Sequence, residues 1–327
     1  MPTGEIDAVT PLLLGSGAGA LAWWRIRKRS RTMPVDASEQ LRQAYLHSSI
    51  YAAKHERDVA ETFKVLRSAG IEPILIKGWA IARSYPETGL RPPGDIDLCV
   101  SPEQQAAAKA ILDMPEYQQY WIDLEHDEVD KLDERSFQEL YSSSELLKLE
   151  NTEVRVLGAE DHLRILCFHL LKHGAWRPLW LCDVSAALES RPARFDWDRC
   201  LGGNKRRANW VLCAIGLAHQ LLDARLGDAP VRAGASGLPG WLIPSVLEQW
   251  NAPYSPNLGA PIREYVWEPV KLFKAIRKRW PNPIQATVAA GGRLNGVPRL
   301  PFQIGNCIVR AARLLPELMR FSQRYDC

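Results

Sequence analysis

The sequence predicts an α+β protein: a small mixed β-sheet with flanking helices, followed by a region built only of helices. Three observations carry that expectation. The stretch IEPILIKGWAIARSYPETGLRPPGDIDLCV, Ile71 to Val100, runs from an apolar strand through a glycine, a helical segment and a turn-rich loop into a second short strand. Apolar alternation around Leu146 to Val156, broken at Asn151-Thr152, reads as a hairpin. After Ala159, apolar residues recur only at helical spacing.

The expected organisation is residues 1–36 as an N-terminal helix or tail, 37–158 as the sheet domain and 159–327 as a helical domain. Pro11 to Trp24 is apolar but interrupted by Gly15, Ser16, Gly17 and Gly19, and short of the ~20 residues a membrane span needs. Acidic Glu5 and Asp7 precede it and basic residues follow, the reverse of a signal peptide. It reads as a first helix packed on the body or a partly disordered start, with a peripheral membrane anchor as the alternative. From Ala37 to Ala69 the pattern is helical, and Gly70 closes it. Past the Ile71–Val100 stretch, Ser101-Pro102-Glu103 opens a helix with the serine as N-cap, and Tyr120 to Glu125 reads as a third strand. Helices are expected over Glu160–His173, Leu179–Glu189, Arg206–Ala224, Trp241–Trp250, Ile262–Arg279 and Ile308–Arg320. Proline- and glycine-rich loops are expected at Gly227–Pro239 and Pro281–Pro301.

Bulk properties narrow the function. With 46% apolar and 24% charged residues, the chain has the composition of a globular protein with a core. Its 41 basic and 38 acidic residues nearly balance, so the total charge calls for neither nucleic acid nor an anionic membrane as partner. Basic clusters at Arg25–Arg31 and Lys205-Arg206-Arg207 read as solvated faces. Seven cysteines, odd in number and without a C-x-x-C pair, point to reduced thiols and a cytoplasmic setting.

The chemistry concentrates in Asp95-Ile96-Asp97-Leu98. Side chains two apart on a strand share a face, so Asp95 and Asp97 present two carboxylates together while Ile96 and Leu98 face the core. Paired carboxylates repel unless a cation neutralises them, and hard oxygen donors suit Mg²⁺ or Mn²⁺ bound with substrate phosphates. Asp123, on the next strand, is the expected third carboxylate: metal ligand, and acceptor of the proton from an attacking hydroxyl. Gly78 lets a phosphate approach the backbone, Lys77 beside it supplies a point charge, and Arg91 either clamps phosphate or pairs with an aspartate. His169 and His173 share one helix face. They are expected either at the rim of the cleft, positioning phosphates with Lys172, or in a packing seam against Asp183.

The order of strand, glycine, helix and D-x-D strand resembles the DNA polymerase β-like nucleotidyltransferase superfamily. The wording Ile76-Lys77-Gly78, Tyr85-Pro86, Arg91 and Gly94-Asp95-Ile96-Asp97-Leu98 resembles an uncharacterised bacterial nucleotidyltransferase-like family with a KG…R…DIDLLV signature. Ile122-Asp123-Leu124 sits where that family has a DLH strand. His169…Lys172-His173 with Trp180…Asp183 resembles its H-x-x-K-H…W-x-x-D block. The sequence departs at Trp79, where a second small residue is usual, and at Glu125, where the family has histidine. The resemblance implies a Mg²⁺-dependent transfer of a nucleotidyl group from an NTP to a hydroxyl-type acceptor (a small molecule, peptide or protein), with Asp95, Asp97 and Asp123 as catalytic metal ligands. The rival readings are a non-catalytic binding or scaffold protein of a biosynthetic pathway and a phosphotransferase on the same fold.

Overall fold

The computed structural model describes residues 3–28, 35–124, 135–227, 237–251 and 268–322. The N-terminal segment forms two helices, α1 (Thr3–Gly15) and α2 (Gly19–Ile26), which pack on the 34-residue α3 (Val35–Ser68). The hairpin is tied down by Glu87, whose carboxylate accepts hydrogen bonds from Trp24 Nε1 at 2.9 Å, Arg27 Nη2 at 2.6 Å and Tyr45 Oη at 3.1 Å. Among the described residues no helix is long and apolar enough to cross a membrane.

The glycine after α3 ends it as expected. Gly70 is left-handed at φ 74°, and the Gly70 and Ile71 amides bond back to Arg67 and Leu66 in the Schellman arrangement. The sheet follows: β1 (Ile74–Leu75), β2 (Ile96–Cys99), β3 (Ile122–Leu124), β4 (Glu145–Leu149) and β5 (Thr152–Val156), in the spatial order β3-β2-β1-β5-β4. The sheet is mixed, β1 running antiparallel to β2 and parallel to β5, and β2 parallel to β3. Between β1 and β2 lies the single turn α4 (Trp79–Ala82), and between β2 and β3 lies α5 (Gln105–Leu112).

Two layers cover the sheet. Val59, Phe63 and Leu66 of α3 meet Leu75, Ile96, Leu98, Val154 and Val156 on one face. On the other face Ile74, Ile76 and Cys99 meet Leu140 of α6 (Phe137–Ser142) and Ile165 of α7 (Ala159–Lys172). The start of α7 is fixed by Asp161, fully buried, which accepts from Arg135, from Ser143 Oγ at 2.9 Å and from Arg199 Nη2 at 2.6 Å. The rest is helical: α8 (Pro178–Glu189), α9 (Trp197–Leu201), α10 (Lys205–Leu222), α11 (Leu242–Asn251), α12 (Pro269–Lys278), α13 (Pro283–Ala289) and α14 (Leu300–Ser322). Its core, centred on Phe168, Leu171, Val184, Val211 and Leu217, also takes in Ile81, Tyr85 and Leu90 from the β1–β2 connection.

Several expectations shift. Ser101 makes no side-chain cap, and its helix begins as a 3₁₀ turn at Pro102–Gln104. The hairpin turn falls on Glu150-Asn151, one residue earlier than read, with Glu150 left-handed at φ 49°. The expected Pro281–Pro301 loop contains α13, capped by Asn282 with Pro283 in its first turn. Glu125, His126, Cys327 and most of the Gly227–Pro239 loop lie outside the described residues.

Candidate active site

The turn after β1 sets the geometry. Gly78 adopts φ 62° and ψ −117°, a region open to glycine, and a Cβ there would sit 3.1 Å from the Asp95 carbonyl oxygen. The backbones of the two signature segments therefore touch at this point. The helix that follows, Trp79–Ala82, is only four residues long and offers no extended dipole.

Asp95 lies one residue before β2, not on it, and is exposed. The strand begins only where pairing begins, with the Ile96 amide donating to the Trp121 carbonyl at 2.9 Å. Asp97 lies on β2 in register with Asp123 on β3. Register partners on parallel strands project to the same face. These two carboxylates thus stand side by side on the sheet face that α7 covers further along. Among the described residues no three His, Cys, Asp or Glu side chains gather closely enough to hold a metal ion, so Asp95, Asp97 and Asp123 do not form the three-carboxylate cluster expected from the sequence.

Lys77 fills the cation's role for Asp97. Its ammonium is 3.0 Å from Asp97 Oδ1, and the pair is largely enclosed, at 7% and 14% side-chain exposure. The same Nζ lies 3.5 Å from His169 Nδ1. A line of polar atoms thus runs from β2 through the glycine turn to α7. His169, His173 and Trp180 form a half-exposed aromatic cluster beside it, with ring centroids 4.6 Å (His169–His173), 4.6 Å (His169–Trp180) and 5.0 Å (His173–Trp180) apart; Trp176 adds an edge contact at 5.1 Å.

Arg91 braces the loop. Its Nε and Nη2 donate to the two oxygens of Asp183 on α8 at 2.8 and 3.0 Å, and Tyr85 Oη donates to Asp183 Oδ1 at 2.8 Å. Burial works to lower the Arg91 pKa, but the charge and hydrogen bonds of Asp183 outweigh it and the net shift is upward. Burial, and then the neighbouring Asp183 charge, raise the Tyr85 phenol well above its ordinary value. Asp183 is therefore committed to Arg91 and Tyr85 and serves neither histidine as the packing reading supposed.

Two further histidines border this region. His55 of α3 has a buried Nε2 with no hydrogen-bond partner among the described residues, 3.7 Å from the point a Cβ on Gly78 would occupy. Burial, then the positive charge of Arg91, lower its pKa to about 4. His162 of α7 is likewise buried with Nε2 unpartnered, and burial followed by the charges of Arg83 and Arg91 lowers its pKa to about 3. Both are neutral near pH 7. Sequence reasoning passed over His55, although it falls on the buried stripe of α3 with Ala52 and Val59.

A glycine turn leading to a D-x-D strand, with a third aspartate in register on a parallel neighbour, defines a nucleotidyltransferase-like α+β protein. Residues 3–223 match the sequence profile of a family described as "uncharacterised nucleotidyltransferase", and the chain belongs to that family. No curated protein matches it. The chain is similar to the crystal structure of an antigenic nucleotidyltransferase-like protein from Paracoccidioides brasiliensis, at 12% identity and a TM-score of 0.42, over 56% of this chain and 98% of that one.

Proposed function

We propose that the chain is a Mg²⁺-dependent nucleotidyltransferase that moves a nucleotidyl group from an NTP to a hydroxyl of a small molecule, peptide or protein in the cytoplasm, with release of pyrophosphate. The observation that carries this reading is the in-register pairing of Asp97 with Asp123 on adjacent parallel strands, beside Lys77 at the glycine turn. The donor set fits the metal: Mg²⁺ is usually held by one or two carboxylates together with substrate phosphates. Asp97 and Asp123 would be those ligands, and Asp95 lies one residue before the same strand. When bound, the ion would supply charge neutralisation at the phosphoryl oxygens.

The remaining work belongs to the chain. Lys77 exchanges Asp97 for a phosphate oxygen, as a point charge on a flexible stem can. Gly78 keeps the turn open to the phosphate. Asp123, exposed on β3, accepts the proton of the acceptor hydroxyl. His169 and His173 hold the phosphates or the base against Trp180. Catalysis then rests on positioning and charge stabilisation.

The Lys77–Asp97 pair also supports a second reading. An aspartate kept neutralised by its own lysine would suit a non-catalytic binding or scaffold protein. Incubation with α-labelled and γ-labelled NTPs, Mg²⁺ and candidate acceptors separates the readings. Transfer of the α-label supports nucleotidyl transfer, transfer of the γ-label alone assigns a phosphotransferase, and retention of both on nucleotide across a broad acceptor set favours the scaffold.

A further inference from the structure

The N-terminal helices, α3 and the loop before β2 enclose a pocket that the site described above does not use. Its volume is about 300 Å³, at the small end of small-molecule sites. Small residues make the room for it. Gly19, Ala20 and Ala44 line it, and α2 runs so close to α3 that a Cβ on Gly19 would stand 3.1 Å from that of Ala44. Leu14 and Pro92-Pro93 complete its apolar walls. Glu87 ties Trp24 and Arg27 at the end of α2 to Tyr45 of α3, so these walls are held together without a ligand.

The rest of the lining says what the pocket takes. Among the described residues no Asp, Glu, Lys or Arg lines it, so a charged ligand would give up its hydration there without a countercharge. His47 and Tyr51, with ring centroids 4.3 Å apart, form an aromatic wall against which a ring can pack. Ser48, also in the lining, is 4% exposed, and its Oγ has no hydrogen-bond partner among the described residues. A buried hydroxyl left without a partner is costly, and one side-chain torsion turns it towards a polar atom of a ligand. An uncharged ring with a polar substituent meets all three conditions.

Two paths join the pocket to the candidate active site. Along the chain, Pro93 stands two residues before Asp95, so their Cα atoms are at most about 7 Å apart. Along α3, Ala44, Ser48, Tyr51 and His55 share one side of the helix, and Ser48 to His55 is a rise of about 10 Å. There His55 meets the glycine turn, its Nε2 lying 3.7 Å from the point a Cβ on Gly78 would occupy. A two-ring molecule seated at Ser48 has the length to reach the start of β2, where Asp95 is exposed.

We infer, resting on the nucleotidyltransferase reading, that this pocket seats the acceptor: an uncharged ring compound with a polar group at the Ser48 end and a hydroxyl at the other. In the transfer, that hydroxyl oxygen bonds to the α-phosphorus of the NTP. The bond from this phosphorus to the pyrophosphate oxygen breaks, the hydroxyl proton passes to Asp123, and pyrophosphate leaves. The probe is naphthalene-2,6-diol, with a hydroxyl at each end, and naphthalene-2,6-dicarboxylate is its charged counterpart. Isothermal titration calorimetry of the full chain without nucleotide is expected to show binding of the diol and none of the dicarboxylate. Tyr51→Ala should weaken the diol by about 2–10-fold through loss of the aromatic wall. Ser48→Ala should weaken it by about 2–10-fold while keeping the wild-type melting temperature, since its hydroxyl bonds to nothing among the described residues. No binding of the diol, equal binding of the dicarboxylate, or undiminished binding by both variants overturns the proposal. With α-labelled NTPs and Mg²⁺, label is expected to move to the diol, and more slowly in Tyr51→Ala. Label that reaches other acceptors but never the bound diol overturns the acceptor role and keeps the nucleotidyltransferase reading. Binding of the diol by a chain that binds no NTP overturns that reading and the acceptor role with it, and leaves the pocket as a ligand site.

Discussion

Replacing Asp183 with asparagine tests how the D-x-D loop is held. The carboxylate is 2% exposed and its partner Arg91 10%, so this is a buried pair and not a surface ion pair of small value. Asparagine keeps the shape and one acceptor but leaves the Arg91 guanidinium buried without its countercharge. Breaking a buried pair from one side costs about 3–5 kcal/mol. At roughly 2–4 °C per kcal/mol for domains of 150–250 residues, the melting temperature should fall by about 6–20 °C. The loss arises from the uncompensated charge, so the double variant Arg91→Met with Asp183→Leu should recover most of it. Urea denaturation of the wild type and the two variants at neutral pH measures this. A single variant within about 1 kcal/mol of the wild type, or a double variant no better than the single one, would refute the reasoning.

Three other outcomes follow from the same geometry. Gly78→Ala should destabilise by about 1–3 kcal/mol, because φ 62° with ψ −117° is strained for alanine and its Cβ would press on the Asp95 carbonyl; a neutral effect in thermal unfolding contradicts that account. His55 and His162 have folded pKa values of about 4 and about 3, below the ordinary ~6.5, so they favour the folded state above pH 6.5 and that contribution falls away as the unfolded chain takes up protons. Unfolding free energy should thus drop by about 2 kcal/mol per histidine between pH 7 and about pH 5, and His55→Gln should lessen the drop; an unchanged pH profile counts against the assignment. Burial pushes the thiols of Cys182, Cys200 and Cys213 up to about 12, so iodoacetamide at about pH 8 should label them only after unfolding, as peptide mass mapping would show.

Much of the frame was legible because local chemistry and tertiary structure agree there. The α3 stripe ended by Gly70, the strands at Ile74, Ile96 and Ile122, and the helices after Ala159 all follow from periodicity and from the residues that break it. The misses have physical causes. Asp95 falls outside β2 because the strand starts only where Trp121 offers a carbonyl, a partner 25 residues away. The helix α13 was hidden by Asn282-Pro283, a pair that reads as a loop but here caps and opens a helix. The choice between clamp and brace for Arg91 depends on Asp183, 92 residues on. The Lys77–Asp97 contact was equally invisible, since the sequence shows that the two are close but not which way the ammonium turns.

The central claim is that Asp97 and Asp123 form a metal-dependent nucleotide site. Isothermal titration calorimetry of the full chain with each of the four NTPs, with and without Mg²⁺, tests it most directly. The account predicts binding of at least one NTP that requires Mg²⁺ and is lost in Asp97→Asn and in Asp123→Asn, while both variants remain folded, Asp123→Asn with the stability of the wild type. Binding that is indifferent to the metal and to both substitutions, or no binding by any of the four, would contradict it.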